Sequence, residues 1–258
     1  MTAKHPYLSG PHPRAYAHRG WHLDELDGME NSLAAFRRAT AEGFRYLETD
    51  VHATADGVVV VHHDHTLDRT TDGTGPVAAQ PWSAVSRARV GGREPVTRLA
   101  DLLEELPDAL LNIDVKADHA VGPVVDLLRA TGALHRVCLA SFSDARLARL
   151  RRLAGPDLMT SLGPRAAGAL WACGRVPALR LPVPGRIAQV PPTQGRLTVV
   201  DRRFVRAAHR RGMEVHVWTV DSAARMTALL DTGVDGLVTD RPDLLRDVLT
   251  TRGVWAGG

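Results

Sequence analysis

From Leu99 onward, short apolar runs alternate with stretches whose apolar residues recur every three or four positions. The runs at 110–115, 137–141, 158–161, 187–190, 215–219 and 236–239 read as strands. Between and after them the spacing predicts helices over 99–106, 119–130, 144–153, 165–172, 201–211 and 222–231, and a last one from Pro242. Strands apolar on both faces belong to parallel sheets covered on both sides. Seven or eight such units in 258 residues predict an α/β fold, a closed (β/α)8 TIM barrel rather than an open sheet. The first strand is followed by no glycine-rich dinucleotide fingerprint, which also disfavours the open form.

The first part of the chain departs from this rhythm. A short strand at 15–17 runs into His18-Arg19-Gly20, and Asn31 or Ser32 caps a helix that buries Leu33, Phe36 and Ala39 and ends before Gly43. In the next strand, alternation puts Glu48, Asp50 and His52 on one face and Leu47, Thr49 and Val51 on the other. Two carboxylates so close repel unless a cation lies between them, and oxygen ligands suit a hard ion such as Ca²⁺ or Mg²⁺. Asp56-Gly57 predicts a hairpin turn, and Val58 to Val61 then carry His62, His63 and His65 back toward the carboxylates. Residues 64–98 exceed an ordinary connection and read as an insertion after the second strand, while 174–200 yields little beyond its one strand. The whole chain, 1–258, reads as one barrel domain carrying that insertion.

Barrel enzymes place their chemistry at the C-terminal ends of the strands. Those positions here hold His18 and Arg19, Glu48 and Asp50, Asp114 and Lys116, Ser141, Trp218 and Asp240. Arg19 and Lys116 suit a phosphate, two histidines on opposite sides suit general acid–base cleavage of a P–O bond, and a cation would draw charge from the phosphoryl oxygens. Trp218 reads either as a core residue or, at a barrel mouth, as a wall for an apolar or glyceryl group. Asp240 is assigned to a helix cap or turn, Ser141-Phe142-Ser143-Asp144 to the cap of the next helix, and Arg69 and Arg98 to surface ion pairs.

Charge adds little, since a net charge of +3 favours anionic ligands only weakly. The arginines lack aromatic interleaving, so no nucleic-acid partner is expected. Of 32 basic residues only Lys4 and Lys116 are lysine, so a compact ammonium at Lys116 stands out in a chain that otherwise uses arginine. Cys138 and Cys173 lack metal-ligand spacing and read as two buried thiols. With no apolar leader and no membrane-length run, the expected location is cytoplasmic, without membrane insertion. Oligomeric state is not legible.

These residues resemble the glycerophosphodiester phosphodiesterase family. The matching motifs are Ala17-His18-Arg19-Gly20, Glu30-Asn31-Ser32, Leu47-Glu48-Thr49-Asp50-Val51, and His63-Asp64 followed by Leu67-Asp68-Arg69-Thr70-Thr71. Later come Asn112-Ile113-Asp114-Val115-Lys116, Ser141-Phe142, Trp218-Thr219-Val220, and Gly233-Val234-Asp235-Gly236 with Thr239-Asp240, in family order over residues 15–245. The resemblance implies hydrolysis of a small glycerophosphodiester to sn-glycerol 3-phosphate and an alcohol, assisted by one divalent cation, Ca²⁺ or Mg²⁺. It implies His18 and His63 as catalytic pair, Glu48, Asp50 and Asp114 as metal ligands, and Arg19 and Lys116 as phosphate contacts. It further implies that the substrate's own 2-hydroxyl attacks, giving a cyclic phosphate that water opens. Asp114 stands where the family usually has glutamate, which bears on how the cation is held, and Met29 stands where proline is common. Two other readings are a lysophospholipase D or sphingomyelinase D-like activity, for which the sequence shows no apolar lip, and a non-catalytic phosphodiester-binding barrel, which would not need two proton-transfer histidines.

Overall fold

Eight parallel strands form the frame in a computed structural model that describes residues 5–176 and 178–256. They are β1 (Arg14–His18), β2 (Tyr46–Ala53), β3 (Leu110–Val115), β4 (Val137–Ala140), β5 (Met159–Thr160), β6 (Ile187–Val190), β7 (Glu214–Val217) and β8 (Gly236–Thr239). Each is hydrogen-bonded to its sequence neighbour, β8 returns to β1, and β5 meets β6 through the parallel bridge Ser161–Ile187. The eight outer helices are α1 (Leu33–Ala41), α2 (Leu99–Glu105), α3 (Val121–Ala130), α4 (Asp144–Ala154), α5 (Pro164–Arg175), α6 (Arg202–His209), α7 (Ala223–Thr232) and α8 (Pro242–Thr251). This is the TIM barrel that the strand–helix alternation predicts. Lys4 lies outside the described residues.

Alternation along the strands separates two cores. Leu47, Val51, Leu111 and Ile113 face outward against the helices. Tyr16, Tyr46, Leu110, Cys138, Met159, Ile187 and Val238 fill the barrel itself, with Tyr7 packed against them. The barrel core also contains ions. Arg14, 1% exposed, donates from Nε and Nη2 to Glu214 at 3.0 and 2.8 Å. His216 donates from Nε2 to Glu214 at 3.1 Å and accepts from the Tyr16 hydroxyl at Nδ1 at 3.1 Å. A buried charge is tolerated only when paired and hydrogen-bonded in this way. Both cysteines are buried and unpaired.

Local chemistry sets the elements that carry the site. Ser32, not Asn31, caps α1, its hydroxyl accepting from Ala35 N at 3.1 Å. Asn31, at φ +62°, instead turns its side chain toward β2. Gly57 takes φ +83° in the turn after β2, where L side chains are strained, and Val59–Val61 returns antiparallel to Val51–Ala53. The insertion has a core of its own, in which Leu67, Val77, Val85, Val90 and Val96 pack on Val60. The register of β1, β2 and β3 then aligns His18 with Glu48 and Asp50 with Asp114.

Candidate active site

A cavity of about 600 Å³ opens at the C-terminal ends of the strands. His18, Arg19, Glu48, Asp50, His63, Asp114, Lys116 and Trp218 all line it, so every predicted site residue reaches one space.

Asp50 is the electrostatic centre. It lies 2.8 Å from Lys116 Nζ and 3.2 Å from Arg19 Nε, and Asn31 Nδ2 donates to it at 3.2 Å. Burial would raise its carboxyl, but Lys116 and Arg19 prevail and hold it below the ordinary aspartate range. Lys116 also donates to Asp114 Oδ2 at 2.7 Å, bridging two strands. Burial nevertheless raises Asp114. Among the described residues Glu48 has one ion-pair partner, the His18 imidazole at 3.6 Å, and burial together with repulsion from Asp50 prevails and pushes its carboxyl up to about 8. Its Oε2 and Asp114 Oδ1 are buried with no hydrogen-bond partner.

That imbalance is the test of fit for a cation. Three buried carboxylates, two of them with an oxygen lacking a partner, form the all-oxygen donor set a hard divalent ion takes. As the side chains stand, no cluster of three or more acidic, histidine or cysteine residues among the described ones is spaced to hold a metal, because Lys116 draws Asp50 and Asp114 to itself. The residues fit the ion by chemistry and charge.

The two cavity histidines are held by the same device. His18 donates from Nδ1 to Asp240 Oδ1 at 2.6 Å, and His63 donates from Nδ1 to Asp64 Oδ1 at 2.6 Å. A carboxylate only accepts, so each Nδ1 carries a proton and Nε2 is left for chemistry. His18 Nε2 lies 3.6 Å from Glu48. Burial lowers His18, but Glu48 and Asp240 outweigh it and raise its pKa. Asp64 is held in turn by Arg69 at 2.6 Å, and Arg69 reaches Glu30, which also accepts from Arg19 at 2.9 Å.

Several assignments change. Asp240 does not cap α8, whose first turn has no side-chain cap; it accepts from His18 and, at 3.2 Å, from His22. Arg69 is half exposed but links the insertion to His63 through Asp64, whereas Arg98 pairs with Asp101 at the surface as expected. The stretch 141–144 does cap α4, through Ser143, while Ser141 donates to Val115 O. His52 shares a strand face with Asp50 yet donates from Nε2 to His63 O at 3.1 Å, and burial pushes its pKa down to about 4. His62 donates from Nε2 to Thr66 O at 2.8 Å, away from the cavity. Phe142, missed as a wall residue, stands edge-to-face on Trp218 at 5.5 Å. The signals for it are its position one residue beyond a barrel strand-end serine and its place in the Ser141-Phe142 motif.

The sequence profile of the Glycerophosphoryl diester phosphodiesterase family matches residues 14–244. A Mycobacterium tuberculosis protein named "Probable glycerophosphodiester phosphodiesterase 2" is 41% identical over 250 residues, covering 94% of this chain and 93% of its own. The crystal structure of glycerophosphodiester phosphodiesterase from Agrobacterium tumefaciens superposes with a TM-score of 0.74 at 31% identity, over 90% of this chain and 97% of that one. An Oleispira antarctica phosphodiesterase, solved with the product sn-glycerol-3-phosphate, shares the fold at a TM-score of 0.76 and 22% identity, over 93% and 97% of the chains.

Proposed function

The chain belongs to the glycerophosphoryl diester phosphodiesterase family, and from that premise we propose how it turns a glycerophosphodiester into sn-glycerol 3-phosphate and an alcohol. The carrying observation is the pair of imidazoles, each fixed at Nδ1 by a carboxylate 2.6 Å away. Such a pair can remove a proton on one side of a phosphorus centre and deliver one on the other. The sn-glycerol-3-phosphate bound by the Oleispira antarctica relative supports the same product here.

In the first half of the reaction one histidine takes the proton of the substrate's 2-hydroxyl as that oxygen attacks phosphorus. The other protonates the departing alkoxide. In the second half water opens the cyclic phosphate and the two exchange roles. Arg19 and Lys116 orient the phosphoryl group, and Trp218 walls the organic part. Glu48, Asp50 and Asp114 would hold one divalent cation, Ca²⁺ or Mg²⁺, which would offset negative charge on the phosphoryl oxygens. Asp240 and Asp64 keep both imidazoles in the productive tautomer. The test is release of sn-glycerol 3-phosphate from glycerophosphoethanolamine with and without a strong chelator. Loss of turnover that returns with added cation is expected; full turnover in chelator contradicts the cation's part.

A further inference from the structure

Charge is unevenly distributed along this chain. Residues 158–220 contain ten arginines against two carboxylates, Asp201 and Glu214, a formal +8, while the remainder sums to −5. Both carboxylates are engaged internally: Asp201 accepts from Arg175 Nη2 at 2.8 Å, and Glu214 accepts from Arg14 in the barrel core. The modest net charge therefore conceals one strongly cationic sector. It is built from α5, β6, the hairpin of Thr193–Gln194 with Leu197–Thr198, and α6.

The fold gathers that charge on one face. Arg202, Arg203, Arg206 and Arg210 are exposed, and at 3.6 residues per turn they fall within an arc of about 100° along α6, opposite buried Phe204, Val205 and Ala208. The hairpin adds exposed Arg196. None of these five side chains has an ion pair or hydrogen bond among the described residues. By contrast, Arg37, Arg98 and Arg252 on other elements are matched by Glu105, Asp101 and Asp231. Exposed apolar groups stand beside the cluster: Val176 and Leu197 are 51% and 46% exposed. Trp171 Nε1 donates to Thr198 O at 3.1 Å, and Arg175, stacked 3.7 Å from the Trp171 ring centre, reaches Asp201. These bonds pin the end of α5, and Val176 with it, beside the hairpin and the start of α6. None of the five arginines lines the cavity, so the face is separate from Arg19 and Lys116.

We propose that the face made by α6, the hairpin and the end of α5 docks peripherally on an anionic phospholipid bilayer. Uncompensated guanidiniums pair with lipid phosphates, and Val176 and Leu197 enter the apolar layer just beneath them. Duplex DNA would satisfy the arginines but offer nothing to the two aliphatic side chains, and no aromatic ring is exposed in this sector to stack on a single strand. Docking of this kind fixes where the enzyme sits, not what it cleaves. It is read without turnover, so it stands or falls separately from the phosphodiesterase reading.

The experiment is co-sedimentation of the full chain with vesicles of phosphatidylcholine alone or of phosphatidylcholine and phosphatidylglycerol in equal amounts. Expected is binding to the anionic vesicles only, lost at high salt. An arginine at such a surface contributes roughly fivefold to partitioning, so a variant carrying Arg202→Gln, Arg203→Gln, Arg206→Gln and Arg210→Gln should bind on the order of 100-fold more weakly. Its melting temperature, measured alongside, shows that it is folded. A control carrying Arg37→Gln, Arg98→Gln, Arg225→Gln and Arg252→Gln loses the same charge from other elements and should bind far better than the first variant. Leu197→Ser should weaken binding severalfold at unchanged charge. Absence of binding to anionic vesicles, equal losses in the two quadruple variants, or undiminished binding by Leu197→Ser would overturn the docking. Tighter binding to duplex DNA than to anionic vesicles at the same phosphate concentration would overturn it as well and assign the face to nucleic acid.

Discussion

His18 Nδ1 and Asp240 Oδ1 lie 2.6 Å apart, joining residues 222 positions apart at the C-terminal ends of the adjacent first and last strands of the barrel. In the proposed reaction Asp240 touches no substrate and serves through the imidazole it orients. Asp240→Asn should therefore lower kcat by roughly tenfold or more, part of the 10²–10⁴-fold worth of an acid–base group, while KM changes little. Asp240→Glu should recover part of the loss. Steady-state kinetics with a thermal melt decide it, since a purely structural role would lower the melting temperature without splitting kcat from KM.

Asp114 holds Lys116 through Oδ2 and keeps Oδ1 buried without a partner. Asp114→Asn removes a charge from the donor set proposed for the cation and should weaken cation binding by more than the roughly 10–100-fold that accompanies loss of a group merely orienting a ligand. Asp114→Glu restores the usual family side chain and should keep activity. Calorimetric titration with Ca²⁺ and Mg²⁺ reads this without turnover, and identical titrations for wild type and Asp114→Asn would exclude a ligand role.

Lys116 touches Asp50 at 2.8 Å and Asp114 at 2.7 Å with a single nitrogen. A planar guanidinium spreads its donors and cannot occupy the same point between two strands. Lys116→Arg should cost at least about tenfold in kcat/KM despite conserved charge. Undiminished kcat/KM in that variant would contradict a need for the compact ammonium.

Acid stability should depend on Glu214. Burial raises its carboxyl, but hydrogen bonds from His216 and Arg14 prevail and hold it far below the usual glutamate range. A depressed folded-state pKa contributes stability above the unfolded value of about 4.3, and that contribution fades as pH falls through the folded value. Glu214→Gln should cost about 2 kcal/mol at pH 7, less than the ~3–5 kcal/mol of deleting a buried ion-pair partner outright. Urea denaturation at pH 7 and pH 3 should show the gap between wild type and variant narrowing in acid. A constant gap would contradict the assignment.

Much of the frame was legible because the strands are short apolar runs and the helices keep their period. The strand at 110–115 and the one at 187–190 coincide with β3 and β6. The strand-end rule gathered seven of the eight predicted residues that share the cavity, and His63 came from the hairpin return and the family resemblance. What stayed hidden depends on long-range pairing. Asp240 precedes a helix with Pro242 in its first turn, a local pattern indistinguishable from a cap, and only closure of the barrel brings it to His18. Arg69 reads as a surface cation until the folded insertion sets it between Glu30 and Asp64. The 174–200 stretch resisted reading because prolines interrupt its periodicity, yet its hairpin supplies Leu197 to the cavity wall.

The central claim is that His18 and His63 transfer the protons, and the direct measurement is sn-glycerol 3-phosphate release by His18→Ala, His62→Ala, His63→Ala and His65→Ala at saturating cation. The first and third should lose roughly 10²–10⁴-fold in kcat. His62→Ala loses its bond to Thr66 O and some stability but should keep most activity, as should His65→Ala, whose side chain is exposed. An inactive His62→Ala beside an active His63→Ala would contradict the account.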